Sequence, residues 1–139
     1  MTYLSDAEMA RWIAWKRAND AVLAAVAQEI QGAAGLSAAD FAVLSRVIEN
    51  GDGRMPQQDL GEMLDWKRPR LSRQLSRMAE RGLLRREDGT GRRVLVIATD
   101  EGRNALAVAR PAHARAVRKA LFARASGDFW DVVQDIAGN

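Results

Sequence analysis

Basic side chains that could bind a polyanion crowd the middle of the chain. Between Lys67 and Arg93 ten basic residues are set against three acids, a local charge of +7, whereas the rest of the chain has a net charge of −4. The guanidinium fork of arginine binds a phosphate, or the edge of a guanine, through paired hydrogen bonds. A cationic block in an otherwise acidic chain therefore indicates a polyanionic partner, of which the DNA backbone is the most common. The ten basic residues are Lys67, Arg68, Arg70, Arg73, Arg77, Arg81, Arg85, Arg86, Arg92 and Arg93.

The residue types that catalysis and metal binding require are scarce. Without cysteine the chain has no disulfide, no thiolate nucleophile and no cysteine zinc site. A single histidine, His113, leaves no histidine cluster for a metal and no second imidazole for a proton relay. Ser72 and Ser76 have no histidine or lysine partner at a recognisable spacing. The sequence therefore predicts a protein that is not an enzyme and has no metal or cofactor.

The length and composition fit one globular domain. The chain has 139 residues, of which 47% are hydrophobic and 28% are charged. Its apolar stretches, such as residues 21–27, are far shorter than the ~20 residues that cross a bilayer, and no secretory signal core is present. We expect a cytoplasmic protein without a membrane partner.

The central arginines fall on a predicted helix from about Arg68 to Arg81, the fourth in the chain, with Pro69 in its first turn. Its apolar side chains recur at i, i+4 and i+7, so at about 100° per residue they share the face toward the core. These side chains are Leu71, Leu75 and Met78. The arginines that then share the outward face are Arg70, Arg73 and Arg77.

A short third helix precedes this one. Pro56 suits its first turn, and Leu60 and Leu64 belong to its apolar stripe. A brief connection with Asp65 and Trp66 leads from it into the fourth helix. A short helix, a tight turn and a helix with a cationic face predict a helix-turn-helix that places its second helix in a major groove.

A β-hairpin is predicted next. Two apolar runs, Leu83–Leu84 and residues 94–97, are separated by the glycine-rich turn DGTG at residues 88–91. Arg92 and Arg93 lie at the tip. Because a narrow minor groove attracts a slim cationic tip, the hairpin offers a second contact with a duplex.

Two helices are predicted before this region. Ser5 and Glu8 form a capping box for a long first helix, which Gly32 and Gly35 stop. A second helix occupies residues 37–51 and ends in a glycine turn.

Two further helices are predicted after the hairpin. The fifth begins at Thr99 and runs to about Ala123, with a kink at Pro111, and the sixth begins after Ser126 with an apolar stripe. The predicted fold class is mainly α with a small β-hairpin wing: a winged helix-turn-helix between terminal helices.

The segment DWKRPRLSRQLSRMAERGLLRRE, followed by GRRVLVIATDEG, resembles the winged helix-turn-helix of the MarR family of bacterial transcription regulators. The resemblance spans most of the chain: LSRQLSRMAERGLLRR is similar to the family's recognition helix and first wing strand, and RRVLVIATDEGRNAL to its second wing strand and dimerisation helix. It implies one MarR-like domain over residues 1–139, with dimerisation helices in residues 1–35 and 100–139 and the DNA-binding region in residues 36–99.

The resemblance also implies a function. A homodimer is expected to repress transcription from a pseudo-palindromic operator whose half-sites lie roughly 34 to 36 Å apart. Family members often bind small aromatic or anionic molecules, so an effector that relieves repression is a further expected partner. Two alternatives stay open: a non-regulatory architectural or RNA-binding winged helix, and a small hydrolase.

The expected DNA contacts combine the helix and the wing. Arg92 matches the family's wing-tip arginine, seven residues before Thr99, although Thr90 stands where the family usually has an acid. Three other arginines, Arg81, Arg85 and Arg86, could instead pair with acids. The candidate DNA-binding residues are Lys67, Arg68, Arg70, Ser72, Arg73, Arg77, Arg92 and Arg93.

Aromatic residues and the histidine are candidates for an effector pocket: Trp12, Trp15, Trp66 and His113. For Trp12 and Trp15, packing in the core or between subunits is the favoured interpretation. For Trp66 an anchor for the turn is favoured, and for His113 a packed interface is favoured over a sensor of pH or ligand.

Overall fold

The computed structural model describes residues 2–138, and the chain divides into two compact units. The first contains residues 2–29 and 113–138 of the described chain, and the second contains residues 30–112. The helices are α1 (Asp6–Ala34), α2 (Ala38–Ser45), α3 (Gln57–Leu64), α4 (Arg68–Glu80), α5 (Asp100–Val117) and α6 (Gly127–Ala137). The strands are β1 (Arg54–Pro56), β2 (Leu84–Asp88) and β3 (Val94–Ala98). The predicted fold class, mainly α with a small wing, is confirmed.

The sheet has three antiparallel strands in the order β1-β3-β2, not the two strands that the sequence predicts. The additional strand, β1, pairs Met55 with Val96 of β3. A strand of three residues is too short for its alternation to show. The first wing strand also extends beyond Leu84 to Asp88, because an exposed edge strand tolerates the polar residues that follow.

The core of the second unit lies beneath α4. Leu71, Leu75 and Met78 are each at most 2% exposed, as the helical spacing predicts. Leu60 of α3 and Val96 of β3 are buried as well. Because interiors of this kind are close-packed, burying these residues fixes which face of α4 is left outside.

The end of α4 and the start of α5 meet closely. Gly82, with a φ of +76°, follows the last turn of α4, and the hydroxyl of Thr99 donates a hydrogen bond to its carbonyl over 2.6 Å. The same hydroxyl accepts a hydrogen bond from the backbone N–H of Gly102 over 3.0 Å. A Cβ at Gly102 would lie 2.0 Å from the carbonyl oxygen of Leu83. The approach therefore requires glycine.

The first helix begins as predicted and ends slightly later. Ser5 and Glu8 form the reciprocal hydrogen bonds of a capping box. The helix passes through Gly32 and ends before Gly35, whose φ is +67°. Gly35, and not Gly32, is therefore the stop, since only the former has a left-handed backbone.

The helices of the first unit leave large apolar side chains exposed. On α6, which Ser126 caps, Val132 is 57% exposed and Ile136 is 79% exposed. Trp130 packs edge-to-face against Phe122 and Phe129, with ring centroids 5.3 and 5.1 Å apart. Apolar side chains are also exposed near the start of the chain and on α1: Tyr3, Leu4, Met9, Trp12, Ile13, Trp15 and Leu23.

The remaining helices differ from the prediction in small ways. The second and fifth helices each run on into a π-helical turn, at Arg46–Asn50 and Arg118–Phe122. Pro56 precedes α3 as its cap and is the last residue of β1, so it lies before the first turn and not in it. The fifth helix continues through Pro111, as predicted. Over residues 2–138 no helix is both long enough and apolar enough to cross a membrane.

Candidate nucleic-acid interface

The turn between α3 and α4 is tight and is fixed by backbone geometry. Asp65 caps α3 in a left-handed conformation, with a φ of 54°. The N–H of Trp66 donates to the carbonyl of Gly61 over 3.1 Å. Lys67 is extended and caps α4, whose first turn accommodates Pro69. This helix-turn-helix therefore begins its second helix on a cluster of basic residues.

The outward face of α4 is cationic. Arg70, Arg73 and Arg77 are exposed, whereas the opposite face is buried. Ser72, another candidate, is half-buried between these two faces. The face that packing leaves outside is thus the one with guanidinium groups, as the spacing predicts.

A groove brings the wing close to the start of α4. It has a volume of about 860 Å³ and is lined by α3, the turn, the beginning of α4 and the wing loop. Lys67 and Arg68 line one part of it, and Arg92 and Arg93 line another. The loop that presents these two arginines is closed by a hydrogen bond from the N–H of Gly89 to the carbonyl of Arg93 over 2.7 Å. Cations 24 or more residues apart in the sequence therefore share one groove.

Two of the ten central basic residues form ion pairs, and a third bonds to a hydroxyl group. Arg81 forms an ion pair with Asp40 at 2.6 Å, and Arg85 pairs with Glu87 at 3.0 Å. Arg86 donates to the hydroxyl of Ser76 over 2.7 Å. In the part of the chain that the structure describes, the other seven form no ion pair: Lys67, Arg68, Arg70, Arg73, Arg77, Arg92 and Arg93.

The sequence does not predict a buried hydrogen-bond network that is centred on Asp40. Asp40 is 2% exposed, and Gln74 of α4 donates to its Oδ1 over 2.7 Å. Arg81 donates to Oδ2, and also to the carbonyl of Gly35 over 2.8 Å. Gln74 in turn accepts from Arg77 over 3.3 Å. The network therefore ties the recognition-helix candidate α4 to the start of α2.

The carboxyl of Asp40 has a lowered pKa. Burial alone would raise it, but hydrogen bonds from Arg81 and from the backbone and side chain of Ser37, with the charge of Arg81, hold the pKa below its ordinary value of 3.8. A group whose pKa is depressed by folding contributes stability above its unfolded pKa, and that contribution disappears as pH falls through the folded pKa.

We expect Asp40→Asn to lower the free energy of unfolding at neutral pH by about 1–3 kcal/mol, because buried charge-assisted hydrogen bonds are lost. Denaturant unfolding between about pH 6 and pH 3 should then show a steeper acid loss in the wild type than in the variant. Parallel pH profiles would contradict the assignment of the network to an ionised Asp40.

Two of the four candidate effector residues line a cleft, and the two clefts are different ones. Trp15 lines an apolar cleft of about 1050 Å³ in the first unit, together with Phe129 and Trp130, which are not among the predicted pocket residues. Trp12 is half exposed, with the Lys16 ammonium 5.6 Å from its ring centroid. In the second unit, Trp66 lines the groove between helix and wing. The fourth candidate, His113, is half-buried on α5 of the first unit.

Comparison with known proteins points to one family. The sequence model of the MarR family matches residues 34–93, from the end of α1 to the wing loop. No curated protein matches the chain. The structure of this chain is similar to that of AbsC, a MarR family transcriptional regulator from Streptomyces coelicolor. The TM-score is 0.89 at 24% sequence identity, and the match covers 99% of this chain and 94% of AbsC.

Two further solved structures are informative. Sco3205, a MarR family transcriptional regulator from Streptomyces coelicolor solved in complex with DNA, matches with a TM-score of 0.89 at 27% identity, over 97% of this chain and 89% of that one. The organohalide-sensing regulator RdhR-CbdbA1625, in its 2,4-dichlorophenol-bound form, shares the fold with a TM-score of 0.80 at 16% identity. This match covers 96% of this chain and 78% of that one. Residues 34–93 thus match the sequence model of the MarR family, and the chain shares the winged helix-turn-helix fold of MarR family transcriptional regulators, one of which was solved in complex with DNA.

Proposed function

We propose that the protein is a homodimeric repressor that binds a pseudo-palindromic operator in the cytoplasm. The observation that carries the proposal is that seven of the ten central basic residues lie on α4, on its first cap and in the wing loop, and form no ion pair within the described residues. Cations that no acid of the chain neutralises can neutralise the phosphates of a duplex instead, and the release of the counterions from those phosphates drives binding.

The positions of these residues suggest a division of roles. Arg70, Arg73 and Arg77, on the exposed face of α4, would reach base edges in the major groove. Lys67 and Arg68, at the start of that helix, would bind phosphates, with Ser72 as a further polar contact. The wing-loop arginines, Arg92 and Arg93, would enter the adjacent minor groove.

The exposed apolar side chains of the first unit support a homodimer. Contiguous exposed apolar surface is unusual on a monomer and is a feature of subunit interfaces. The exposed residues lie along α1 and α6, at opposite ends of the sequence. In the proposed dimer these helices would cover those of the partner and set the distance between the two recognition helices.

Deleting the residues after Ser126 removes α6. We expect a weak or aggregated dimer, because the apolar side chains that pack against this helix become exposed to solvent. Light scattering would measure the mass. A point variant, Ile136→Asp, tests the same surface with the helix intact, since this side chain is 79% exposed in one chain. Its expected effect is dissociation with retained helicity; a stable dimer for both variants would contradict the interface.

We extend the proposal to a small aromatic or anionic effector. The cleft lined by Trp15 has apolar walls, and Arg115, Lys119 and Arg124 also line it. Apolar walls with a few cationic groups suit an aromatic carboxylate or phenolate. The 2,4-dichlorophenol-bound form of a regulator with the same fold supports this class of ligand.

Selection of bound molecules from a random duplex pool tests the proposed function most broadly. A repressor should enrich one palindromic sequence and bind it roughly 10³-fold or more tightly than random DNA. An architectural protein would enrich none, and an RNA-binding protein would prefer a parallel pool of single-stranded RNA. Either of those results would overturn the proposal.

A further inference from the structure

One arginine of α4 differs from its neighbours in what it contacts. The guanidinium carbon of Arg70 lies 4.1 Å from the centroid of the Trp66 ring. A cation within about 6 Å of an aromatic face is attracted by the ring quadrupole, and tryptophan gives the strongest attraction. Arg70 is exposed, so little packing restricts its long side chain. The contact with the Trp66 ring is therefore what limits the orientations of this side chain.

Trp66 is itself well anchored. Its residue follows the left-handed Asp65, its N–H is bonded to Gly61, and its side chain is half-buried in the turn before α4. Because this turn connects the two helices of the motif, the indole is fixed in position relative to the helix-turn-helix. It therefore offers a fixed platform for the guanidinium.

The other two outward arginines lack such a platform. In the described part of the chain the side chain of Arg73 has no hydrogen bond, ion pair or ring contact, and that of Arg77 has a single long hydrogen bond to Gln74, at 3.3 Å. Ordering a free arginine on binding costs rotamer entropy, which lowers affinity by roughly tenfold. An arginine already ordered in the free protein avoids most of that cost.

We propose that Trp66 is a positioning residue that holds Arg70 ready to read a base edge, and that this makes Arg70 the main specificity-determining arginine of α4. Arg70 occupies the third position of the helix, near the N-terminal end that meets base edges in helix-turn-helix proteins. A guanidinium stacked on a ring still directs its N–H groups outward in its own plane, as bidentate contact with guanine requires. This inference rests on the proposed DNA-binding function and assigns to Trp66 a role other than lining an effector pocket.

A double-mutant cycle on the selected operator separates positioning from packing. We expect Arg70→Gln to lower affinity by about 10- to 100-fold, and Trp66→Leu by about 5- to 10-fold. In the Arg70→Gln background, Trp66→Leu should then change affinity by less than about twofold, because no guanidinium remains to be positioned. Trp66→Phe, which keeps a ring, should restore most of the loss.

Arg73 supplies the matched control. In an Arg73→Gln background, Trp66→Leu should still lower operator affinity by about 5- to 10-fold, because the side chains of Trp66 and Arg73 are not in contact. In separate selections of bound DNA, the Trp66→Leu and Arg70→Gln variants should both lose base preference at the same symmetric pair of operator positions. The Arg73→Gln variant should lose base preference at a different pair. Thermal unfolding of each variant, with and without operator, shows that the binding measurements concern folded protein.

Two results would overturn the inference while leaving the proposed function intact. One is an equal loss from Trp66→Leu in both arginine backgrounds, which indicates packing alone. The other is a Trp66→Phe variant as weak as Trp66→Leu. A wild-type protein that selects no DNA would instead overturn the proposed function itself, and this inference with it.

Discussion

Replacing Arg73 by alanine is expected to weaken operator binding by about 1–3 kcal/mol without unfolding the dimer. The side chain is exposed on the outer face of α4 and has no partner within the described residues, so its removal breaks no internal contact. The whole effect should therefore appear in binding and not in stability. Arg92→Ala is expected to act similarly from the wing, with binding measured by fluorescence anisotropy on labelled operator.

Arg85 provides a control for the removal of charge as such. It is also exposed, but it already pairs with Glu87 at 3.0 Å, so Arg85→Ala should change operator affinity much less. Wild-type affinity in both Arg73→Ala and Arg92→Ala, or an equal loss in Arg85→Ala, would defeat the assignment of the DNA-binding residues.

Gly102→Ala is expected to have the largest effect on stability, lowering the free energy of unfolding by about 3 kcal/mol or more. The added Cβ would lie 2.0 Å from the carbonyl oxygen of Leu83, which accepts a hydrogen bond from the N–H of Thr99. Backbone atoms on both sides have to separate, so the start of α5 would move away from the strand that begins the wing. Denaturant unfolding measures the loss, and reduced operator affinity should accompany it.

Gly32→Ala is the matched control, because it adds the same methyl group to a helical glycine with nothing within 4 Å of the new atom. Alanine should there stabilise α1 by about 0.5–1 kcal/mol. If Gly102→Ala were as stable as Gly32→Ala, the close approach of α5 to Leu83 would be wrong.

The local periodicity of the sequence predicts the outward face of α4 and its charge. Leu71, Leu75 and Met78 all become buried because the apolar repeat of a helix is a property of neighbouring residues. The same reasoning misses β1, since Arg54 to Pro56 is defined by its pairing with β3 and not by its own pattern.

The network around Asp40 shows where sequence reasoning fails. Gln74 and Arg81 lie 34 and 41 positions from Asp40, a separation that no local pattern encodes. The available signal was the capping box of Ser37 and Asp40, which identifies the acid but not its partners. Likewise, the stacking of Arg70 on Trp66 depends on the left-handed Asp65 between α3 and α4, a conformation seldom adopted outside glycine, asparagine and aspartate.

In the proposed dimer, two copies of the chain hold their recognition helices and wings at a fixed separation along one duplex. Inserting about five base pairs between the half-sites of the selected operator turns one half-site to the opposite side of the helix. With the dimer rigid, affinity should then fall toward that for random DNA, a loss of roughly 10³-fold. An unchanged affinity for the lengthened operator would contradict the account.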